Sequence, residues 1–153
     1  MLRTIYKDDE RYVKTYWSKW NKNIYFAGDG VKRDEDGYFW FTGRVDDVIK
    51  LSGHRIGTAE VESALVDHPA VAEAAVVGVR DAVGLVRPVG YLVLRAGAVP
   101  SPQLAREILN DVRQGLLSYK CPQEIHFLAE LPKTATGKIQ RFRLRQPLAS
   151  EKS

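Results

Sequence analysis

The residues best suited to chemistry lie in three short stretches. In Tyr25-Phe26-Ala27-Gly28-Asp29 a carboxylate follows a glycine at the end of an apolar run. A carboxylate so placed can accept hydrogen bonds from vicinal hydroxyls such as those of a ribose, although Gly-Asp is also an ordinary turn. In Gly43-Arg44-Val45-Asp46-Asp47-Val48-Ile49-Lys50-Leu51-Ser52-Gly53-His54-Arg55 two arginines bracket an apolar strand. The planar guanidinium matches a phosphate with two charge-assisted bonds, and Gly53 permits a turn or a close backbone approach. Taken singly, these are a charged hairpin and a glycine turn. In Leu131-Pro132-Lys133-Thr134-Ala135-Thr136-Gly137-Lys138, small hydroxyl residues and a glycine put a lysine on a flexible, exposed loop. Such a lysine can reach a neighbouring site as a compact positive charge. For one lysine alone, a plain surface loop is the better reading.

The other reactive side chains add little. His54 lies inside the second stretch and either contacts a ligand or is simply a polar hairpin residue. His68 precedes Pro69 and reads as a helix terminus, while His126 alternates with Ile125 and Phe127 and should point outward from a strand. Three scattered histidines and one cysteine have no metal-site spacing. Cys121, beside Pro122, reads as a structural thiol.

The elements that must position these residues follow from periodicity. Tyr12, Val13, Tyr16, Trp17 and Trp20 predict an amphipathic helix over 8–20 with Lys14, Ser18 and Lys19 on its other, polar side, the aromatic stripe packed or, without a partner, exposed. Ile24–Ala27 and Tyr38–Phe41 predict a hairpin that turns at Asp36-Gly37. Val48–Leu51 predicts a strand. Thr58 is placed to cap a helix running from about Ala59 to Asp67, which Pro69 stops. Val71–Val79 and Val89–Leu94 predict buried strands. Ser101 and Pro102 predict the start of a helix whose buried face is Leu104, Ile108, Val112 and Leu116. Ile125–Leu128 predicts a short strand, and a short basic helix follows from Ile139. From Val48 onward this is an α+β fold, a small mixed sheet covered by helices. A separately patterned segment precedes it, and the boundary falls near Arg44–Asp46.

The bulk properties are those of a globular chain of 153 residues, with 44% hydrophobic and 27% charged residues. No run approaches the roughly 20 apolar residues that span a bilayer. The start has no apolar signal region. The net charge of +4 is concentrated near the end, at Lys133, Lys138, Arg141, Arg143 and Arg145. A basic end suits nucleic acid, a phosphate-bearing cofactor or a solvated face, and on charge alone the solvated face leads.

In this order and at these separations, the three stretches resemble the last motifs of the adenylate-forming superfamily, which includes acyl-CoA synthetases, luciferases and nonribosomal adenylation domains. The resemblance runs from Tyr25 to about Arg145. Residues 28–67 are most similar to acetyl- and propionyl-CoA synthetases, and residues 119–145 to benzoate- and medium-chain acyl-CoA ligases. It implies that residues 1–45 are the tail end of an N-terminal adenylate-binding domain and residues 46–153 a mobile C-terminal domain. By the same resemblance, Asp29 would bind the ribose hydroxyls of ATP and acyl-AMP with the help of Arg44. Asp46 would be the hinge. Gly53 and its hairpin, with His54, would line the pantetheine tunnel. Arg55 would contact nucleotide phosphate, and Lys138 would stabilise charge developing during adenylation.

The implied function is that of an ATP-dependent acid–CoA ligase, in the cytoplasm. Its cofactors would be ATP/AMP and CoA, with Mg2+ accompanying ATP but held by no motif present here. Its partners would be the N-terminal domain, a carboxylic acid and CoA, with no nucleic acid and no membrane, and the exposed N-terminal segment is a candidate for self-association. An adenylating enzyme that loads a carrier protein would use the same motifs, because the pantetheine arm is shared. A stand-alone binding or regulatory module is the reading from another class. The tail has no interleaved aromatics beyond Phe142, which weakens a nucleic-acid stacking platform. The superfamily's phosphate loop and acid pocket lie upstream of these motifs, and nothing in residues 1–24 resembles them. The chain is therefore expected to be a piece of a larger enzyme. Purified alone, it should show no acid-dependent exchange of pyrophosphate into ATP, since no acid can be positioned against the nucleotide. Exchange above the acid-free control would overturn that expectation.

Overall fold

The computed structural model describes residues 3–20, 23–45, 47–51, 53–80 and 84–145. The first helix, α1, spans Asp9–Tyr16. Asp8 caps it by accepting a hydrogen bond from the Arg11 N–H (3.1 Å), and Asp9 and Glu10 face the positive end of its dipole. It stops four residues short of the expected end because the chain folds back on it. The Phe26 N–H donates to the Tyr16 carbonyl (2.8 Å), Tyr25 stacks on Tyr16 at 5.0 Å, and Trp17 meets Tyr25 edge-on at 5.5 Å. The same contacts explain why Ile24–Ala27 is not a strand: its aromatic rings are held by α1 rather than by a ladder. No residue of α1 is buried, and Trp20 beyond its end is 58% exposed.

Strands β1 (Asp29–Arg33) and β2 (Phe39–Arg44) form the hairpin, shifted toward the C-terminus from the expected limits. Its turn is organised by Asp34, whose carboxylate accepts from the Trp40 indole N–H (2.7 Å) and the Tyr38 N–H (2.8 Å). Those bonds, the indole one first, hold this carboxyl below its ordinary range. Gly37 supplies the positive φ of +92°. Phe39, Trp40 and Phe41 are all largely exposed, so neither face of the hairpin is covered.

The remainder is built on a three-stranded sheet. Strand β5 (Val71–Arg80) pairs antiparallel with β6 (Val86–Leu94), and β6 pairs parallel with β7 (Glu124–Phe127). A parallel neighbour requires a crossover, which helix α3 (Pro102–Gly115) provides. Ser101 Oγ caps α3 by accepting from the Leu104 N–H (3.1 Å), with Pro102 in the first turn, as expected. Helix α2 (Thr58–Val66) differs in detail. Gly57 is its N-cap, and Thr58 is instead its first helical residue, buried in the core. Strands β3 (Ile49–Leu51) and β4 (His54–Ile56) form a second hairpin, which the apolar pattern caught only as far as β3. Three residues of β4 are too few to display alternation.

The sheet is packed on both faces. Val61, Leu65, Ile108 and Val112 from α2 and α3 cover Val71, Val76 and Leu92 on one side, joined by Ile49 and Ile56. Ala75, Val77, Val89 and Tyr91 on the other side meet Leu131 and Leu144. Leu144 comes from a short helix, α4 (Arg141–Leu144). Hydrogen exchange should follow this division, with amides of Tyr12–Phe41 exchanging roughly a hundredfold or more faster than those of Val71–Leu94. Equal protection would mean that the first segment has acquired another partner, such as a second copy of the chain.

Candidate functional site

The structure brings Asp29 and Arg44 together as register partners at the open end of the first hairpin. Arg44 Nη1 donates to Asp29 Oδ1 (3.1 Å) and to the Ala27 carbonyl (2.8 Å). Gly28, at a φ of +81°, makes room for this: a Cβ there would lie 2.6 Å from Arg44 Nη2. The Val45 N–H closes the arrangement by donating to the Gly28 carbonyl (2.9 Å). Both charged side chains remain nearly half exposed, so the pair is oriented yet open to a ligand. Beside it, Lys14, Lys19, Phe26, Gly28 and Arg44 line a cleft of about 450 Å³. The two lysines of α1 and its C-terminal extension, which the sequence pattern assigned only to a polar helix face, thus make this cleft electropositive.

Gly53 sits at the tip of the second hairpin, where Leu51 and His54 are register partners. Its φ of +86° requires glycine, and a Cβ there would meet nothing within 4 Å. A side chain at Gly53 would therefore project into open space. His54 stacks on Tyr119 at 4.4 Å, and together with Leu51, Arg87 and Gln123 they line a cleft of about 550 Å³. Arg55 points to the opposite face of the strand by the pleat and is exposed. Asp46 lies outside the described residues.

Lys138 ends a loop that is better ordered than the flexible segment expected from its composition. The Gly137 N–H donates to the Thr134 carbonyl (2.9 Å), and the Lys138 N–H to Thr134 Oγ1 (3.1 Å). The Thr134 N–H donates to the Lys138 carbonyl (2.8 Å), and an antiparallel bridge joins Lys133 to Ile139. Gly137, at a φ of +82°, completes the turn. Lys133 Nζ pins the base of the loop to Glu73 of β5 (2.6 Å). The Lys138 ammonium itself makes no hydrogen bond or ion pair among the described residues. No such bond links it to Asp29, Gly53 or Arg55.

The remaining candidates are structural. Burial pushes the Cys121 thiol up, and its Sγ lies 3.6 Å from the Leu117 carbonyl, an environment opposed to a nucleophilic thiolate. His68 is buried and its Nδ1 accepts from the Ala70 N–H (3.2 Å). His126 stacks on Tyr91 and pairs with Glu124 (2.9 Å). Among the described residues no group of three or more His, Cys, Asp or Glu is arranged to hold a metal ion. No described helix is long and apolar enough to cross a membrane. In the basic tail, Lys133, Arg141 and Arg145 are paired with carboxylates of the fold, which leaves Lys138 and Arg143 as its unpaired cations among the described residues.

Comparison with known proteins gives a consistent result. Residues 60–138 match the family model described as the AMP-binding enzyme C-terminal domain. The chain is 57% identical over 145 residues to the acetyl-coenzyme A synthetase of Rubrobacter xylanophilus, covering 95% of this chain and 22% of that protein. It thus spans about a fifth of the length of this relative. Among solved structures, an anthranilate CoA ligase in complex with anthranoyl-AMP matches 89% of this chain and 26% of its own, with a TM-score of 0.77 and 43% identity. A benzoate CoA ligase from Burkholderia xenovorans matches 86% of this chain and 27% of its own, with a TM-score of 0.73 and 42% identity.

The Gly28 geometry is directly testable. Gly28→Ala would place a methyl against the Arg44 guanidinium and force an L-residue into positive φ, a cost of about 1 kcal/mol. The Val45 amide, bonded to the Gly28 carbonyl, should then exchange about fivefold faster. Unchanged exchange would show that the glycine is dispensable to the Asp29–Arg44 arrangement.

Proposed function

This chain belongs to the AMP-binding enzyme C-terminal domain family, and from that premise we propose that it works within an ATP-dependent acid–CoA ligase. The reaction converts a carboxylic acid, ATP and CoA to acyl-CoA, AMP and pyrophosphate through an acyl-adenylate. The observation that carries this reading is Lys138, an exposed ammonium with no partner of its own among the described residues, on a loop braced by hydrogen bonds and by the Lys133–Glu73 pair. A cation held ready and left unpaired is suited to an anion that arrives from elsewhere.

In the first step a carboxylate oxygen attacks the α-phosphorus and pyrophosphate leaves. Lys138 offsets the negative charge that builds on the α-phosphate and the carboxylate, a contribution of position and fixed charge. Asp29 accepts hydrogen bonds from the ribose hydroxyls, oriented by Arg44, and Arg55 contacts a phosphate. In the second step the CoA thiol attacks the acyl carbonyl and AMP leaves. Gly53, whose missing side chain would otherwise project into open space, then leaves room for the pantetheine arm, with His54 beside it. Rotation at Asp46, between residues 1–45 and the body 46–153, exchanges the Lys138 loop for the Gly53 hairpin. The relatives described above are named for CoA, which favours free CoA over carrier-bound pantetheine.

The test joins the chain to the upstream region of the Rubrobacter xylanophilus relative and assays the half-reactions separately. Lys138→Ala should slow adenylation by roughly 10² or more, the scale of one lost transition-state contact, and spare thioester formation from preformed acyl-adenylate. Gly53→Leu should do the reverse. Equal effects on both steps, or none, would remove the division of labour between the loop and the hairpin.

A further inference from the structure

Two helices, a strand and the segment leading into β3 meet at one part-buried ion network that the proposed chemistry does not use. Arg141, the first residue of α4, places Nη2 2.9 Å from both carboxylate oxygens of Glu62 on α2, with Nε 3.3 Å from Oε1. Its Nη1 reaches Asp47 Oδ2 at 3.3 Å, and Arg145 Nη2 holds Asp47 Oδ1 at 3.0 Å. Glu62 Oε1 also accepts from the Val76 N–H (2.9 Å) on β5, an edge strand of the sheet. The side chains of Asp47 and Glu62 are each 15% exposed and that of Arg141 21%, so solvent screens this network far less than a surface pair.

The placement of the network matters more than its strength. Asp47 directly follows residue 46 and leads into β3, while Arg141 lies three residues after Lys138. One planar guanidinium therefore fastens the far end of the lysine loop both to the segment leaving residue 46 and to the helix–sheet body. Lysine, a point charge, cannot make both forks at once. We propose that Arg141 is a positioning residue, which makes the Lys138 loop and the base of the Gly53 hairpin move as one body. This rests on the assignment of Lys138 to adenylation made above. The β3–β4 hairpin keeps a second anchorage through Ile49 and Ile56 in the core, whereas among the described residues beyond 139 the Lys138 loop joins a core only through Leu144 of α4, its neck being closed by the Gln140 N–H bond to the Pro132 carbonyl (2.7 Å). Loss of Arg141 should therefore disturb the loop more than the hairpin.

The experiment is a double-mutant cycle in the same joined enzyme, at a temperature where near-ultraviolet circular dichroism shows every variant folded. Arg141→Met should slow adenylation about tenfold while thioester formation stays within about twofold, and Arg141→Lys should recover only part of the loss. In the Lys138→Ala background the further effect of Arg141→Met on adenylation should shrink to about twofold or less, since a group acting through Lys138 has nothing left to position. Additive effects, or equal slowing of both half-reactions, would overturn the proposal and leave the Lys138 assignment standing. A Lys138→Ala variant without a selective adenylation defect would sink the assignment and this inference together. Should Arg141→Met fail to fold, Asp47→Asn, which weakens one arm of the fork and keeps its shape, enters the same cycle: a shrunken effect in the Lys138→Ala background supports the proposal, and an additive one overturns it.

Discussion

A three-stranded sheet with two apolar faces governs this molecule. Helices α2 and α3 cover only one of them. The other, carrying Ala75, Val77, Val89 and Tyr91, must be covered by the chain beyond β7, and Leu131, Ile139 and Leu144 do this. The segment that bears Lys138 is therefore pinned at both ends by residues the sheet requires. Between those pins the chain has no core to join, so it turns outward and its tip is exposed. The loop is short, hydrogen-bonded across its neck and directed away from the body because of where the apolar residues fall on either side of it.

Much of this was legible in the sequence, and the reasons are local. Val71–Arg80 and α3 announced themselves because each carries a long, uninterrupted pattern, and Ser101-Pro102 fixed the start of α3 by capping chemistry alone. The Ile24–Ala27 strand was misread because its aromatic residues serve ring stacking on α1 rather than a sheet. Strand β4 was hidden by its three-residue length, and Thr58 resembles a cap but is drawn inward by the core. The site divides in the same way. Asp29, Arg44, Gly53 and Lys138 stood out through residue type in short motifs. Glu62 and Arg141 are 79 positions apart, and nothing in a one-dimensional pattern pairs them. Lys14 and Lys19 read only as the side of a helix opposite its aromatic stripe until the fold set them beside Arg44.

The first 45 residues obey a different constraint. A two-stranded hairpin gains little stability by itself, and this one exposes Phe39, Trp40 and Phe41. What organises it is polar: Asp34 at one end and the Asp29–Arg44–Ala27 cluster at the other. The hairpin thus holds its Asp29–Arg44 end in shape by polar contacts rather than by a core beneath it.

The two-sided core also bears on where this unit can be divided. The segment that defines the family begins at residue 60, inside α2, and ends at residue 138. A protein trimmed to those limits would lack Ile49 and Ile56 from one core, Ile139 and Leu144 from the other, and the Arg141 side of the ion network. The smallest piece that retains both faces of the sheet runs from Ile49 to Leu144. Domain grafts between enzymes of this kind that are spliced at the statistical limits of the family would carry an open sheet face into the hybrid and invite aggregation. Splices placed before residue 47 and after residue 145 would keep the folding unit whole.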